Sequence, residues 1–215
     1  MNWSYFRFAP WIDTRVSFVN GTPRGGALLD LGASDGQTLS HMAQLRPDLR
    51  FFAADIEGRP ENYPSGCQFA RVDLQRDQLP WPDHSIDAIT CMHLVEHLTT
   101  LDHMFSEIAR LLKPGGRVYF ETPHPKTLTL PRQEKPTPGA GPMNFFDDPT
   151  HVEIVRVEKL GEFAQRNGLK VLRSGTSRNL AIAASYPLFC FSSGRNQIVS
   201  KTHWIGWSAY LIAGA

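Results

Sequence analysis

The chain has 215 residues, 41% hydrophobic and 20% charged, an ordinary globular composition and a length that one domain with one core accounts for. Its 22 Lys and Arg against 21 Asp and Glu leave a formal charge of +1, which excludes the strong global field of a protein built around a polyanion, so nucleic acid is not favoured as a partner. Cys67, Cys91 and Cys190 form no CxxC pair, which excludes the usual zinc and dithiol patterns and fits a reducing cytoplasm. The first 25 residues form an N-terminal cap segment carrying Trp3, Tyr5, Phe6, Phe8, Trp11 and Phe18. Arg7, Pro10 and Asp13 interrupt these aromatics, so the segment lacks the apolar run of a signal peptide or membrane span; it reads as a helix or arm packed on a soluble, unexported domain.

From residue 27 short β-rich runs alternate with helical stretches, the pattern of a mainly parallel sheet covered by helices. Strands are predicted at Ala27 to Leu31, Arg50 to Ala54, Gln68 to Val72, Ile86 to Met92, Arg117 to Glu121, Lys170 to Ser174 and Trp207 to Ile212. Helices are predicted over Gly36 to Leu45, Leu101 to Leu112 and Val157 to Asn167, the last two closed by Lys113-Pro114-Gly115-Gly116 and by Gly168. Between Pro123 and Pro149 lie seven of the sixteen prolines, so residues 123–152 are expected to be an irregular loop. It follows the fifth strand and is expected to hang over the sheet edge where ligands bind, on the acceptor side. Residues 175–206 read as a second irregular connection.

The segment LDLGASDG, residues 29–36, runs from an apolar strand through Asp30 into a glycine turn and a helix start, a place where backbone and helical N–H groups approach a nucleotide-like ligand. A dinucleotide fingerprint requires G-x-G-x-x-G, but Gly32 is followed by Ala33, Ser34 and Asp35 before Gly36, so the glycine that admits a pyrophosphate is missing. Asp55 closes the second strand in FFAADIEG, placed to grip two ribose hydroxyls, and Asp73 ends the third. An adenosine with a cationic amino-acid tail suits Asp30 and Asp55.

Taken in order, LDLGASDG, FFAADIEG, ARVDL, SIDAITCMHLVEHL and LLKPGGRVYFETP resemble a class I S-adenosylmethionine-dependent methyltransferase over about residues 27–123. The resemblance implies a single Rossmann-like α/β domain over residues 1–215: seven mostly parallel strands ordered 3-2-1-4-5-7-6, the seventh antiparallel, with helices on both faces. It also implies S-adenosylmethionine as cofactor. Asp30, Gly32, Ser34 and Gly36 would line its methionine moiety, with Ser34 standing where the family often has glycine. Asp55 would bind the ribose and Ile56 would pack on adenine. Asp73 and the Leu74 amide would read the adenine edge, while Cys91 and Met92 close the pocket near the sulfonium.

Methyl transfer to a hydroxyl needs in-line positioning and removal of a proton. His93, Glu96 and His97 follow the fourth strand in HLVEH, and NFFDDPTHV supplies Asp147, Asp148 and His151. His93, His97 and His151 are the candidate catalytic residues. His93, Glu96, His97 and His151 also form a candidate site for a divalent metal that would polarise a hydroxyl. This arrangement resembles E-x-x-E-H in the ubiquinone-biosynthesis O-methyltransferases and the small-RNA 3′-end 2′-O-methyltransferases, with His93 in place of the first glutamate, a swap that favours an imidazole-liking metal over Mg²⁺. A metal-free base at His97 or His151 is the rival reading, and local hydrogen bonding of Glu96 and His97 a third. His124 is a further candidate to face the acceptor, whereas His41, His84, His103 and His203 have no constellation around them. Trp3, Phe145, Phe146 and Trp204 are candidate walls of an acceptor pocket. The expected function is methylation of a small molecule at oxygen, with a sugar-like or polyhydroxylated acceptor suggested by the resemblance of the NFFDDPTHV region to bacterial methyltransferases. Alternatives are methylation at an RNA 3′ end, a non-catalytic cofactor-binding regulator and a nicotinamide oxidoreductase.

Overall fold

The computed structural model describes residues 3–133 and 141–215, and its seven strands share one sheet in the order β3-β2-β1-β4-β5-β7-β6. They are β1 (Ala27–Leu31), β2 (Arg50–Asp55), β3 (Gln68–Arg71), β4 (Ile86–Met92), β5 (Leu112–Pro123), β6 (Lys170–Ser177) and β7 (Ser208–Gly214). The pairs among β1 to β5 are parallel, and β7 runs antiparallel to both β5 and β6. β1 is buried at every position because both faces of a central parallel strand are covered, which is why it reads as a continuous run rather than an alternation.

Two hydrophobic cores follow, one on each face. α1 (Thr14–Asn20) and α2 (Gln37–Leu45) pack Val16, Phe18, Leu39 and Met42 toward Leu28 and Tyr119. On the other face α3 (Asp102–Leu111) and α4 (Val157–Arg166) bury Phe105 and Phe163, and Phe105 stacks on Phe120 at 4.9 Å and on Phe163 at 5.3 Å. Asp13 starts α1 by accepting from the Arg15 and Val16 amides, two of the N–H groups a helix cannot satisfy itself.

The predicted strands and helices are all present, with two departures. Lys113-Pro114-Gly115-Gly116 ends α3 but lies inside β5, which starts at Leu112: the register passes from Ile86↔Leu112 to Ala88↔Arg117, so these residues bulge out opposite Asp87. Lys113 Nζ meets the Asp87 carboxylate there at 2.7 Å. Residues 175–206, expected to be irregular, instead contain α5 (Leu180–Ala184), α6 (Tyr186–Phe189) and α7 (Arg195–Ile205). α5 and α6 are too short to show a helical period, and Pro187 in the first turn of α6 reads as a breaker in sequence although that position tolerates it. The expected loop over residues 123–152 holds only the 3-10 turns Pro125–Thr129 and Phe145–Asp147 among its described residues; Glu134 to Ala140 lie outside them. The N-terminal arm is two 3-10 turns, Trp3–Phe6 and Pro10–Ile12, leading into α1.

Candidate active site

The C-terminal ends of β1, β2 and β4 carry the glycine turn and its carboxylates. Gly32 and Gly36 have φ of 76° and 79°, where side chains are strained, and a Cβ at Gly36 would lie 2.5 Å from the Tyr63 ring. Ser34 adopts φ 46° without that freedom, and the turn holds it: its amide donates to Asp55 at 2.8 Å and its carbonyl accepts from the Tyr63 hydroxyl at 3.1 Å. The other Asp55 oxygen accepts the Glu57 amide at 2.8 Å, so the carboxylate is oriented yet keeps lone pairs for two ribose hydroxyls. Ser34, Asp35, Asp55, Ile56, Glu57 and Arg59 line one groove there, with Ile56 exposed.

Asp30 is buried and accepts from the Thr90 hydroxyl at 2.6 Å. Burial pushes its pKa up to about 7 against that hydrogen bond, so a cationic ligand group beside it would draw out its charge. Asp73 accepts the Gln75 amide and pairs with Arg76 at 3.1 Å, and Leu74 is buried; neither lines the Asp55 groove. The Cys91 side chain faces the core beneath β4, where burial raises its thiol pKa well above the ordinary value. Met92 is half-buried at the strand end.

The histidines after β4 divide into two groups. His93 sits at φ 53° and turns both ring nitrogens to carboxylates: Nδ1 lies 3.0 Å from Glu96 and Nε2 3.4 Å from Glu121. Burial works against its charge, but the hydrogen bonds to Glu121 and Glu96 lift its pKa to about 10, leaving an imidazolium with no lone pair for a metal or a proton. The structure therefore separates His93 from the other proposed ligands. Among the described residues, Glu96, His97 and His151 bring one potential ligand atom each within 4.8 Å of one another. The Val152 amide donates to the Glu96 carbonyl at 2.8 Å, which sets the loop segment on the turn Val95–His97.

His97 Nδ1 reaches the Thr150 hydroxyl at 2.9 Å, and that hydroxyl donates to Asp148; His151 Nδ1 reaches the Phe145 carbonyl at 2.6 Å. Both Nδ1 atoms therefore carry hydrogens, and each neutral ring keeps its lone pair on Nε2. Phe145 stacks on His151 at 4.5 Å. Asp147 makes a capping box with Asn144, and His124 accepts the Lys126 amide, so these two serve the loop. Phe146 and Trp204 are about half exposed, Trp204 against Tyr186, while Trp3 lines a cavity.

Glu121, Arg15 and His203 were not legible as site residues. Glu121 stands opposite Met92 in the β4–β5 register and accepts from Tyr119 at 2.7 Å and Ser177 at 2.8 Å. Burial opposes its charge, yet Arg15 and His93 hold its pKa well below the carboxylate range. Arg15, His93, Glu121, Ser177 and His203 line a small cavity of about 150 Å³, and Arg15 and His203 also line a second of about 570 Å³ with Trp3 and His41. The one available signal was Glu121 in ETP at a strand end; Arg15 and His203 come from segments far apart in sequence.

The sequence matches the family described as "Methyltransferase domain" over residues 3–174. It is 31% identical over 133 residues to a demethylmenaquinone methyltransferase of Tropheryma whipplei, covering 60% of this chain and 54% of that protein. It is also 31% identical over 115 residues to a ubiquinone biosynthesis O-methyltransferase of Xanthomonas axonopodis pv. citri, covering 50% and 48%. The chain thus spans about half the length of the curated relatives it matches. The methyltransferase solved with the Haloferax volcanii Trm112 methyltransferase activator aligns over 99% of this chain and 97% of its own, with a TM-score of 0.68 and 17% identity. An S-adenosylmethionine-dependent methyltransferase from Mesorhizobium loti aligns over 89% and 92%, with a TM-score of 0.65 and 15% identity. With the strand order of the class and a family match over most of its length, the chain belongs to the class I S-adenosylmethionine-dependent methyltransferases.

Proposed function

We propose that the chain transfers the methyl group of S-adenosylmethionine to a hydroxyl oxygen of a small, polyhydroxylated or sugar-like acceptor. The observation that carries this reading is the Glu96, His97 and His151 group beyond β4, at the edge where a cofactor lying over the glycine turn and Asp55 would present its methyl group. Asp30 would face the ammonium of the methionine tail and Asp55 the ribose. The acceptor would approach from the cavity at His93. An Nε2 lone pair on His97 or His151 would take the hydroxyl proton as the oxygen attacks the methyl carbon and the sulfonium leaves as a neutral thioether. The His93 imidazolium between Glu96 and Glu121 is a fixed frame in this scheme: it orients Glu96 and holds Glu121 without exchanging a proton.

A divalent metal fits the same residues. Glu96 is fully buried and its Oε2 has no hydrogen-bond partner, an orphaned acceptor beside two imidazoles whose Nδ1–H groups are pinned. Glu96, His97 and His151 would be its ligands. When bound it would lower the pKa of an acceptor hydroxyl. A ring-hydroxyl acceptor is the second reading, favoured by the 31% identity to the ubiquinone biosynthesis O-methyltransferase.

Calorimetry with S-adenosylhomocysteine tests the cofactor reading, and absence of binding would refute it. An acceptor panel of sugars, polyols and phenols, read by mass gain of one methyl group with and without chelator, tests the rest. Loss of activity on chelation with recovery on one metal supports the metal; full activity after chelation assigns the base to the histidines alone.

A further inference from the structure

The larger cavity, about 570 Å³, falls in the size range of small-molecule sites and meets the His93 cavity at Arg15 and His203. It lies between the turn Trp3–Phe6, the start of α2 and the cover formed by α5 to α7. The charges on its wall are answered within the protein. Asp13 accepts the Arg15 and Val16 amides, the Asn179 side-chain amide at 3.1 Å and the Arg15 guanidinium at 3.4 Å. Burial opposes the Arg15 charge, but Glu121 and Asp13 hold it, and its guanidinium also lies 5.7 Å from the Trp3 ring centre. Arg195, the remaining cation on the wall, is engaged as well. A charged ligand entering here would give up its hydration without gaining an ion pair, so the cavity favours a neutral one.

What the wall offers instead is hydrogen bonding and aromatic surface. The His203 Nδ1 accepts the Asn179 backbone N–H at 3.0 Å, so the neutral ring carries its proton on Nε2, and that nitrogen is a donor. Burial, and then the charge of Arg15, lower its pKa to about 4, which keeps it neutral at physiological pH. His41 is the converse. Its Nδ1 donates to the Gln37 carbonyl at 2.9 Å and burial lowers its pKa, so its Nε2 keeps a lone pair and accepts. Trp3 is fixed beside it, with the two rings 5.9 Å apart and the Arg15 guanidinium over the indole. Trp3, Phe6 and Phe189 bring aromatic surface to the same wall. A donor at the junction with the His93 cavity and an acceptor at the aromatic end suit hydroxyl groups, which can serve either.

We infer that this cavity holds the body of a neutral amphipathic acceptor, with an aryl part on Trp3, Phe6 and Phe189 and hydroxyl groups between the His203 donor and the His41 acceptor. The inference rests on the methyl-transfer reading and narrows its acceptor class, from any polyhydroxylated molecule to an uncharged one that bears an aryl group. The hydroxylated end continues past Arg15 and His203 into the His93 cavity, from which the acceptor approaches the cofactor in that reading.

Calorimetry on protein loaded with S-adenosylhomocysteine, using phenyl β-glucoside, methyl β-glucoside and phenyl β-glucuronide, tests it. Phenyl glucoside is expected to bind about tenfold tighter than methyl glucoside, which lacks the aryl part, and about tenfold tighter than phenyl glucuronide, which carries a charge. V199F, which places a larger side chain on the cavity wall, should abolish phenyl glucoside binding, and F189A should bring it down to the methyl glucoside level. Both variants should keep the S-adenosylhomocysteine affinity and the circular dichroism of the unaltered protein. Equal affinity for the three glycosides, tighter binding of the glucuronide, or no binding of any of them overturns the inference. So does displacement of S-adenosylhomocysteine by phenyl glucoside, because the cavity would then serve the cofactor. Failure of S-adenosylhomocysteine to bind the unaltered protein refutes the methyl-transfer reading itself, and the three glycosides titrated into unloaded protein then decide whether the cavity keeps its preference.

Discussion

The groove at Asp55, proposed for the cofactor, and the buried cluster at Glu121, on the proposed acceptor side, are built by different physics. Around Gly32, Ser34 and Gly36 the shape comes from backbone: positive φ values, main-chain donors and one well-placed carboxylate, Asp55, all from residues close in sequence. Around His93 and Glu121 it comes from buried charge, with Arg15, Tyr119 and Ser177 arriving from separate elements. A backbone site tolerates few side-chain additions but needs no charge balance. A charged site accepts different side chains only if each buried ion keeps a partner.

The largest effect should come from the acceptor end. His97→Gln or His151→Gln is expected to lower kcat by about 10²- to 10³-fold while the Kd for S-adenosylhomocysteine stays unchanged, since base or ligand is lost and the cofactor groove is not. Equal losses in both quantities would erase the distinction between the two ends. Next is Gly36→Ala: the new methyl meets Tyr63 in a left-handed backbone, and cofactor affinity should fall by roughly 30-fold, about 2 kcal/mol, as read by calorimetry.

A smaller effect concerns pH. The folded Asp30 pKa, about 7, lies above its ordinary value of 3.8, so the unfolded chain ionises first and stability attributable to Asp30 declines as pH rises from about 4 through 7. A cationic ligand reverses this by favouring the carboxylate. S-adenosylhomocysteine should therefore bind roughly tenfold tighter at pH 8 than at pH 6, with proton release detectable by calorimetry in buffers of different ionisation enthalpy. Asp13→Ala, which removes the α1 cap, should cost about 1–2 kcal/mol and lower Tm by a few degrees in a thermal melt, without changing the site's chemistry.

The same contrast explains what could be read from sequence. The strands and the turn with Asp30, Gly32, Gly36 and Asp55 are legible because local chemistry decides them: a buried strand, a turn that demands glycine, a carboxylate at a strand end; the strand order came from the family resemblance, since no local signal carries it. Glu96, His97 and His151 were legible as types and are brought together by contacts between the two segments, the Val152 and Glu153 amides on the Glu96 carbonyl and His97 on Thr150. His93 illustrates the limit. Its neighbour Glu96 was visible three residues away, but Glu121, which converts it from a candidate ligand into a held cation, is 28 residues distant and joins it only across the β4–β5 pairing. His203 has no local company in the sequence, and its company in the fold, Arg15 and Asn179, comes from other parts of the chain. The helices α5 and α6 were missed because segments of five and four residues carry no measurable period.

The partners of Glu121 also bear on how the molecule comes into being. Thr14 meets Ser177 at 2.8 Å across a separation of 163 residues, and Ser177 and Tyr119 both donate to Glu121. A nascent chain emerges from its N-terminus, so β1 to β4 and the glycine turn can assemble while β6 is still being synthesised. Glu121 would stay without its Ser177 partner until β6 has been made. A product that stops before β6 would carry the Asp55 groove and lack Ser177 at Glu121, so the buried carboxylate reports that β6 is in place.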